Sequence, residues 1–271
     1  MRRIRGRIAI SGTGLHSGKE CRVTIEPCNV SEVMMRTLTN ESAIRLLRTD
    51  GTKRGSDYIY PDGERVRTCE HVFSALCGMG LYSGICVTVD GGEMPAIDGC
   101  ASYLSGLIEE NSYDDGETMR YATIREPITV TSEDGKRIVS AFPSDNLQIT
   151  YRVEYEKIGE QMLEYVPGAD DYERDIAPAR TFAMKSEIEY LRSHGMALGG
   201  TLKNAILIGD EIEADGGLRW PDEFVRHKVL DMMGDIYSVG YPLRVHIVAE
   251  KAGHEMHLRL AEKIKGAMID V

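Results

Sequence analysis

The segment DEFVRHKVLDMMGDIYSVG, residues 222 to 240, decides how the chain is read. Val225, Val229, Met232, Met233 and Ile236 recur at helical spacing and supply a buried face, and Gly240 followed by Pro242 ends the element. The polar residues are not needed for that face. His227 and Asp231 are four apart and project together, with Lys228 beside them and Asp235 one turn further along the row. An imidazole and a carboxylate at that spacing can hold one metal ion. On this helix alone, a surface His–Asp hydrogen bond is the simpler account, because two ligands do not make a site.

The segment has a faint counterpart upstream. EHVFSALCGMG from residue 70, GICVTVD from residue 84 and CASYLSGLIEE from residue 100 read as helix, strand, helix. RHKVLDMMGDIYSVG from residue 226, LRVHIVAEK from residue 243 and HEMHLRLAEKI from residue 254 repeat the series. Setting His71 on His227 also sets Gly78 on Gly234, which suits close helix packing in each half, although chance alignment explains so faint an echo as well. The expected class is α+β: two similar domains, each a β-sheet with a helix pair, packed face to face. The turn-rich NSYDDGETM, residues 111 to 119, marks the boundary between residues 1–115, with Glu70 and His71, and residues 116–271, with His227, Asp231 and His254.

Strand-patterned runs populate both halves: GRIAIS, CRVTIE, ICVTVD, ATIREPITV, RIVSAF and LQITYRVEY. The second half carries ARTFAMKSEIEYLRSHGMALGGTLKNAILIG, residues 179–209. It reads as a β-α-β insertion, with a helix from Lys185 to His194 stopped by Gly195 and NAILIG as a buried strand. Its apolar face covers either core or ligand.

A net charge of -11 over 271 residues excludes a general nucleic-acid binder, since phosphate recognition needs a concentrated basic face; a local basic patch for a small anion stays open. No run approaches twenty apolar residues, so no stable membrane insertion is expected, and the basic start MRRIRGRIAISGTG has no apolar run suited to a signal peptide. The six cysteines form no C-x-x-C pair and read as reduced thiols of a cytoplasmic protein, with Cys77 and Cys86 in the core.

A third ligand for the 222–240 helix has one source of note. RTCEHVFSALCGMG offers Thr68 as N-cap with Glu70 and His71 in the first turn of an amphipathic helix. Adjacent helical residues point about 100° apart, so one of the pair can bind an ion while the other addresses a water. That completes an open site: His71, His227 and Asp231 as ligands and Glu70 as general base. On the Glu-His pair alone, a carboxylate favoured by the helix dipole is the simpler reading, and spacing cannot choose between residues so far apart in the chain.

The ordered set GTGLHSG, TCEHVFSAL, MPAIDGCAS, ARTFAM, IEYLRSHG, LGGTLKNAI, DEFVRHKVLDMMGD and KAGH covers nearly the whole chain. It resembles the UDP-3-O-acyl-N-acetylglucosamine deacetylases of lipid A biosynthesis. The resemblance implies two α+β domains, each with a small insertion, a β insertion within residues 29–67 in the first and the β-α-β insertion in the second. It also implies a zinc site between them held by His71, His227 and Asp231, with Glu70 as base and His254 as its acid partner. It further implies that Asp235 orients His254, and that Lys228 and Thr181 touch the reacting acetamide. Phe182, Ile188 and Ala197 fall where the family lines an acyl-chain passage, Tyr155 matches a position associated with the nucleotide, and Lys251 can meet a phosphate. His16 falls near the substrate in the family, while GTGLHSG reads equally well as a Gly-rich turn between strands. His194, His246 and His257 read as ordinary strand and surface residues.

The chain departs from the family pattern at Cys69, in GLYSGICV and after the histidine in KAGHEMH, and residues 29–67 match poorly. Two imidazoles and a carboxylate suit zinc, and Fe2+ accepts the same set. The implied reaction is metal-dependent removal of the N-acetyl group from a UDP-linked acylated glucosamine. A deacetylase of a different N-acyl amino sugar is the alternative, and a catalytically silent sugar-nucleotide binder is the third reading, disfavoured because every catalytic position holds a competent residue. The sequence does not disclose an oligomeric state.

Overall fold

A computed structural model describes residues 1–52 and 54–270. The first half opens with β1 (Arg2–Ile4), β2 (Ile8–Thr13), β3 (Glu20–Pro27), β4 (Val33–Arg36) and β5 (Glu41–Ala43). A separate three-stranded sheet follows, made of β6 (Arg48–Thr52), β7 (Gly55–Ile59) and β8 (Arg65–Val66). Then come α1 (Glu70–Gly78), β9 (Ile85–Asp90), α2 (Ser102–Asn111) and β10 (Ser112–Asp114). The main sheet has the order β2-β3-β9-β4-β5, with β9 antiparallel to β3 and parallel to β4.

The second half runs β11 (Ala122–Thr123), β12 (Ile128–Thr131), β13 (Ile138–Pro143), β14 (Gln148–Tyr155), β15 (Gly159–Tyr165) and the short α3 (Tyr172–Asp175). The insertion comprises β16 (Phe182–Met184), α4 (Lys185–Ser193), β17 (Ile206–Ile208) and β18 (Ile212–Glu213). It is followed by α5 (Glu223–Ile236), β19 (Leu243–Glu250), α6 (His254–Ala267) and β20 (Ile269–Asp270). Here β12, β13, β19, β14 and β15 lie side by side, with β19 antiparallel to β13 and parallel to β14. The two sheets therefore share one topology, β19 standing where β9 stands. The faint sequence echo is a structural repeat, and the class is α+β.

Period-two burial explains the sheets. Ile149, Tyr151 and Val153 of β14 are buried while their neighbours are not, and Ile8 and Ile10 do the same in β2. The helices α1 and α5 are different: nearly every residue of each is buried, because they pack on each other and join one apolar core that runs through both halves. Polar groups on these helices are internal, so the surface reading of His227 and Asp231 does not hold.

Gly234 is what lets α5 approach α1. A Cβ there would stand 1.9 Å from the Glu70 carbonyl oxygen, so the expected close packing is met at this position. Gly78 also permits a close approach, to a side chain and not to helix backbone: a Cβ there would run into the Tyr172 ring of the short α3 at 2.4 Å. Thr68 is not the N-cap. It sits at φ 55, its hydroxyl donates to Glu93 Oε1 at 3.2 Å, and the capping position is Cys69, which makes no side-chain cap. The 222–240 segment closes as expected, through a short 3-10 turn to Gly240 at φ 83.

The β-α-β insertion forms with β16 parallel to β17, and β18 adds an antiparallel third strand. A small second core of Ile206, Ile208 and Phe224, with Phe182 and Met184 against it, seats the insertion on the start of α5.

Candidate active site

His227 and Asp231 lie one turn apart on α5, with His227 Nε2 3.2 Å from Asp231 Oδ1. From the first turn of α1, His71 Nε2 reaches the same oxygen at 3.8 Å, and the two imidazoles stand nearly perpendicular with centroids 5.1 Å apart. Donor atoms of the three residues all fall within 4.8 Å of one another, and all three side chains are buried.

The protonation pattern makes this cluster unusual. His227 Nδ1–H donates to the Ala179 carbonyl oxygen at 3.0 Å, which leaves an unprotonated Nε2 facing the carboxylate. Burial, then His227, push the His71 imidazole down to about 3, and burial also lowers His227, so both rings are neutral. Burial opposes the charge on Asp231, yet the nearby histidines and Lys228 outweigh it and hold the carboxyl well below its ordinary range. Its Oδ2 accepts from Lys228 Nζ at 2.6 Å, whereas the buried Oδ1 has no hydrogen-bond partner among the described residues. A charged, orphaned oxygen faced by two neutral imidazoles, that of His227 with its Nε2 lone pair free, suits a divalent cation. The residues fit a metal ion.

Glu70, His254 and Lys228 surround this cluster. Glu70 is buried, with Oε2 accepting from both the backbone N–H (2.9 Å) and the hydroxyl (2.8 Å) of Ser56. Burial, reinforced by Asp235 and Asp231, pushes its carboxyl up to about 7. His254, the first residue of α6, donates from Nδ1 to Asp235 Oδ2 at 2.9 Å and holds Nε2 3.7 Å from Asp231 Oδ2. Burial works against charge on this ring, but Asp235 and Asp231 prevail and raise it to about 9. Burial likewise opposes the ammonium of Lys228, and Asp231 and Tyr155 keep it above its ordinary value.

These groups form the floor of a cavity of about 640 Å³ whose walls come mainly from the insertion. Thr181, Phe182, Ile188 and Ala197 line it, as do Tyr155 and His16. The Phe182 ring meets Tyr155 edge-on at 5.4 Å and lies 5.3 Å from Lys228 Nζ, joining the apolar wall to the polar floor. His16 uses both ring nitrogens: Nε2 donates to the Arg54 carbonyl oxygen at 3.0 Å and Nδ1 accepts from the Ala197 N–H at 3.4 Å. Arg54 also pairs with Glu187 of α4 at 2.7 Å, so the two insertions meet across the cavity. Asp235 is fully buried behind His254 and does not line the cavity. Lys251 does not line it either; its ammonium pairs with Glu154.

Three features were missed in the sequence. His257, read there as a surface residue, is 0% exposed and donates from Nδ1 to Asp235 Oδ2 at 2.8 Å. Its i, i+3 spacing from His254 was the available signal. Buried Glu93 accepts from the backbone N–H groups of His16 (2.8 Å) and Ser17 (2.9 Å), fixing the GTGLHSG turn. Arg180 and Glu223 form a buried pair at 2.8 Å that ties the segment just before β16 to the start of α5. Nothing in their spacing announces either contact.

The chain matches the family model described as UDP-3-O-acyl N-acetylglycosamine deacetylase over residues 1–266. Three relatives carry the name UDP-3-O-acyl-N-acetylglucosamine deacetylase. The Syntrophotalea carbinolica protein is 35% identical over 265 residues, 95% of this chain and 85% of the relative. A Chlamydia trachomatis serovar L2 protein is 34% identical over 276 residues, covering 98% and 95% of the two chains. That of Chromobacterium violaceum is 35% identical over 274 residues, with coverage of 97% and 89%. With the family model matched over residues 1–266 and relatives about 35% identical over nearly the whole chain, the chain belongs to the UDP-3-O-acyl N-acetylglycosamine deacetylase family.

Proposed function

We propose that the cluster at the α1–α5 contact is the catalytic centre of a zinc-dependent amidohydrolase. The enzyme hydrolyses the acetamide of UDP-3-O-acyl-N-acetylglucosamine, releasing acetate and leaving the free amine, a step of lipid A synthesis. The observation that carries the site assignment is the orphaned Asp231 Oδ1, faced by the Nε2 atoms of His71 and His227.

In this reading His71, His227 and Asp231 hold the ion, and zinc is favoured because two neutral imidazoles and one carboxylate match its ligand preferences. When bound, the ion polarises the acetamide carbonyl and acidifies a water. Glu70 takes the proton of the attacking water: Ser56 occupies Oε2, leaving Oε1 for that task, and a carboxyl raised to about 7 is basic enough for it near neutral pH. His254, its Nδ1 held by Asp235, offers Nε2–H to the departing amine. The Lys228 ammonium faces the negative charge that develops on the acetamide oxygen, and the Thr181 hydroxyl helps to orient that group. Phe182, Ile188 and Ala197 receive the acyl chain, while Tyr155 and His16 contact the sugar-nucleotide end. Lys251 meets a phosphate only if it leaves Glu154.

We further propose a division into domains at residues 115/116, each half carrying its own sheet and helix pair, with the ion held between them. No helix among the described residues is long and apolar enough to cross a membrane. All six cysteines are free thiols, which supports a reducing, cytoplasmic setting.

The test is direct. Purified protein is analysed for metal content and assayed for acetate release from the nucleotide sugar and from other N-acetyl amino sugars. Release confined to the nucleotide sugar, with one ion per chain, supports the assignment; turnover by protein free of divalent metal refutes it.

A further inference from the structure

Asp235 accepts two hydrogen bonds on one oxygen. His254 Nδ1 lies 2.9 Å and His257 Nδ1 2.8 Å from Oδ2, while the buried Oδ1 has no partner among the described residues. The orientation of this carboxylate therefore rests on Oδ2 alone. A carboxylate held by a single imidazole can turn about its Cβ–Cγ bond; a second donor anchored elsewhere removes that freedom.

His257 is so anchored. Its Nε2 lies 2.8 Å from the Tyr151 hydroxyl on β14, and the same hydroxyl stands 2.9 Å from the Ala252 carbonyl oxygen, its single proton shared between these two acceptors. Ala252 belongs to the turn that leads through Gly253 into His254, and it lines the cavity. The contacts close a ring from Asp235 through His257, Tyr151 and Ala252 back to His254, tying α5, α6 and β14 together. His257 itself is fully buried and absent from the cavity wall, so it does not touch substrate.

We propose that His257 is a positioning residue for His254, acting through the Asp235 oxygen that the two imidazoles share. This rests on the assignment of His254 as the group that protonates the departing amine. A His257 that merely fills the core would matter for stability and not for turnover in the folded enzyme.

Covalent geometry supplies the test. In asparagine the amide group branches from Cγ, as Nδ1 does in histidine, so His257→Asn keeps a donor for Asp235 and loses the Tyr151 contact. In glutamine the amide reaches the place of Nε2, so His257→Gln keeps the Tyr151 contact and loses the donor. His257→Leu removes both. Each variant is prepared with full metal content and assayed for kcat and KM on the nucleotide sugar. The expected result is near-normal kcat for Asn, with a fall on the order of tenfold to a hundredfold for Gln and Leu at unchanged KM. The role is overturned if Gln turns over within about twofold of wild type, or if Asn falls as far as Gln. Should Leu fail to fold, the Asn–Gln comparison decides alone. His254→Ala, assayed alongside, separates the two layers: severe loss there with normal Gln overturns only the positioning role, whereas normal turnover in His254→Ala overturns the assignment of His254 itself.

Discussion

Gly234 of α5 and the carbonyl of Glu70 at the start of α1 are in such close approach that a methyl group on the former would stand 1.9 Å from the oxygen of the latter. The contact sets the separation of the two helices that carry His71 and the His227–Asp231 pair. Gly234→Ala is therefore expected to force the helices apart, at a cost of about 1–3 kcal/mol or more, and to weaken metal binding along with stability. Urea denaturation with metal analysis of the same samples checks both. A stable variant with undiminished metal affinity contradicts the geometry.

Replacing His71 or His227 with Ala should reduce metal content and activity in parallel, since each leaves two of the three proposed protein ligands. His227→Ala with full metal occupancy would defeat the ligand assignment.

On their proposed roles as base and acid, Glu70 and His254 set the expected pH response. A base raised to about 7 works only when deprotonated, so activity rises with pH through that region; an acid raised to about 9 works only when protonated, so activity falls above it. The profile of kcat/KM is expected to be a bell with its maximum between these limbs, the ion's positive charge drawing the acidic limb lower. Glu70→Gln should keep the metal and lose activity by a factor on the order of hundreds. Near-normal turnover at full occupancy would leave Glu70 a mere first-turn carboxylate.

The insertion wall offers a test of chain-length selection. Ala197 sits at φ 54, where any larger side chain adds backbone strain, so Ile188 on α4 is the cleaner site. Ile188→Trp should weaken substrates with long acyl chains about tenfold or more while affecting short-chain substrates less. Equal losses at every chain length would indicate damage to the fold instead.

What could be read from the sequence was whatever periodicity or local spacing encodes. The 222–240 helix and the β-α-β insertion announce themselves within a few turns of chain, the helix-strand-helix echo does so only faintly, and the structure contains all three. The convergence of His71 with His227 depended on resemblance, because contacts between distant segments leave no spacing to read. The misreadings have the same origin. Thr68 looks like an N-cap locally, but Glu93 captures its hydroxyl and holds it at φ 55. His257 looks like a surface residue until Tyr151 and Asp235 arrive from elsewhere in the chain to enclose it.

The origin of the proposed ligands in two repeated halves would make the ion a structural tie as well as a chemical one. His71 belongs to the first sheet-and-helix unit, and His227 and Asp231 to the second, so an ion bound by all three binds only the assembled protein. Its binding energy then adds to the stability of the native state, by about 2.7 kcal/mol at a free concentration a hundredfold above its dissociation constant. Thermal stability should track free metal even in the absence of substrate. Depleting metal would thus lower the amount of folded enzyme as well as the rate of each molecule.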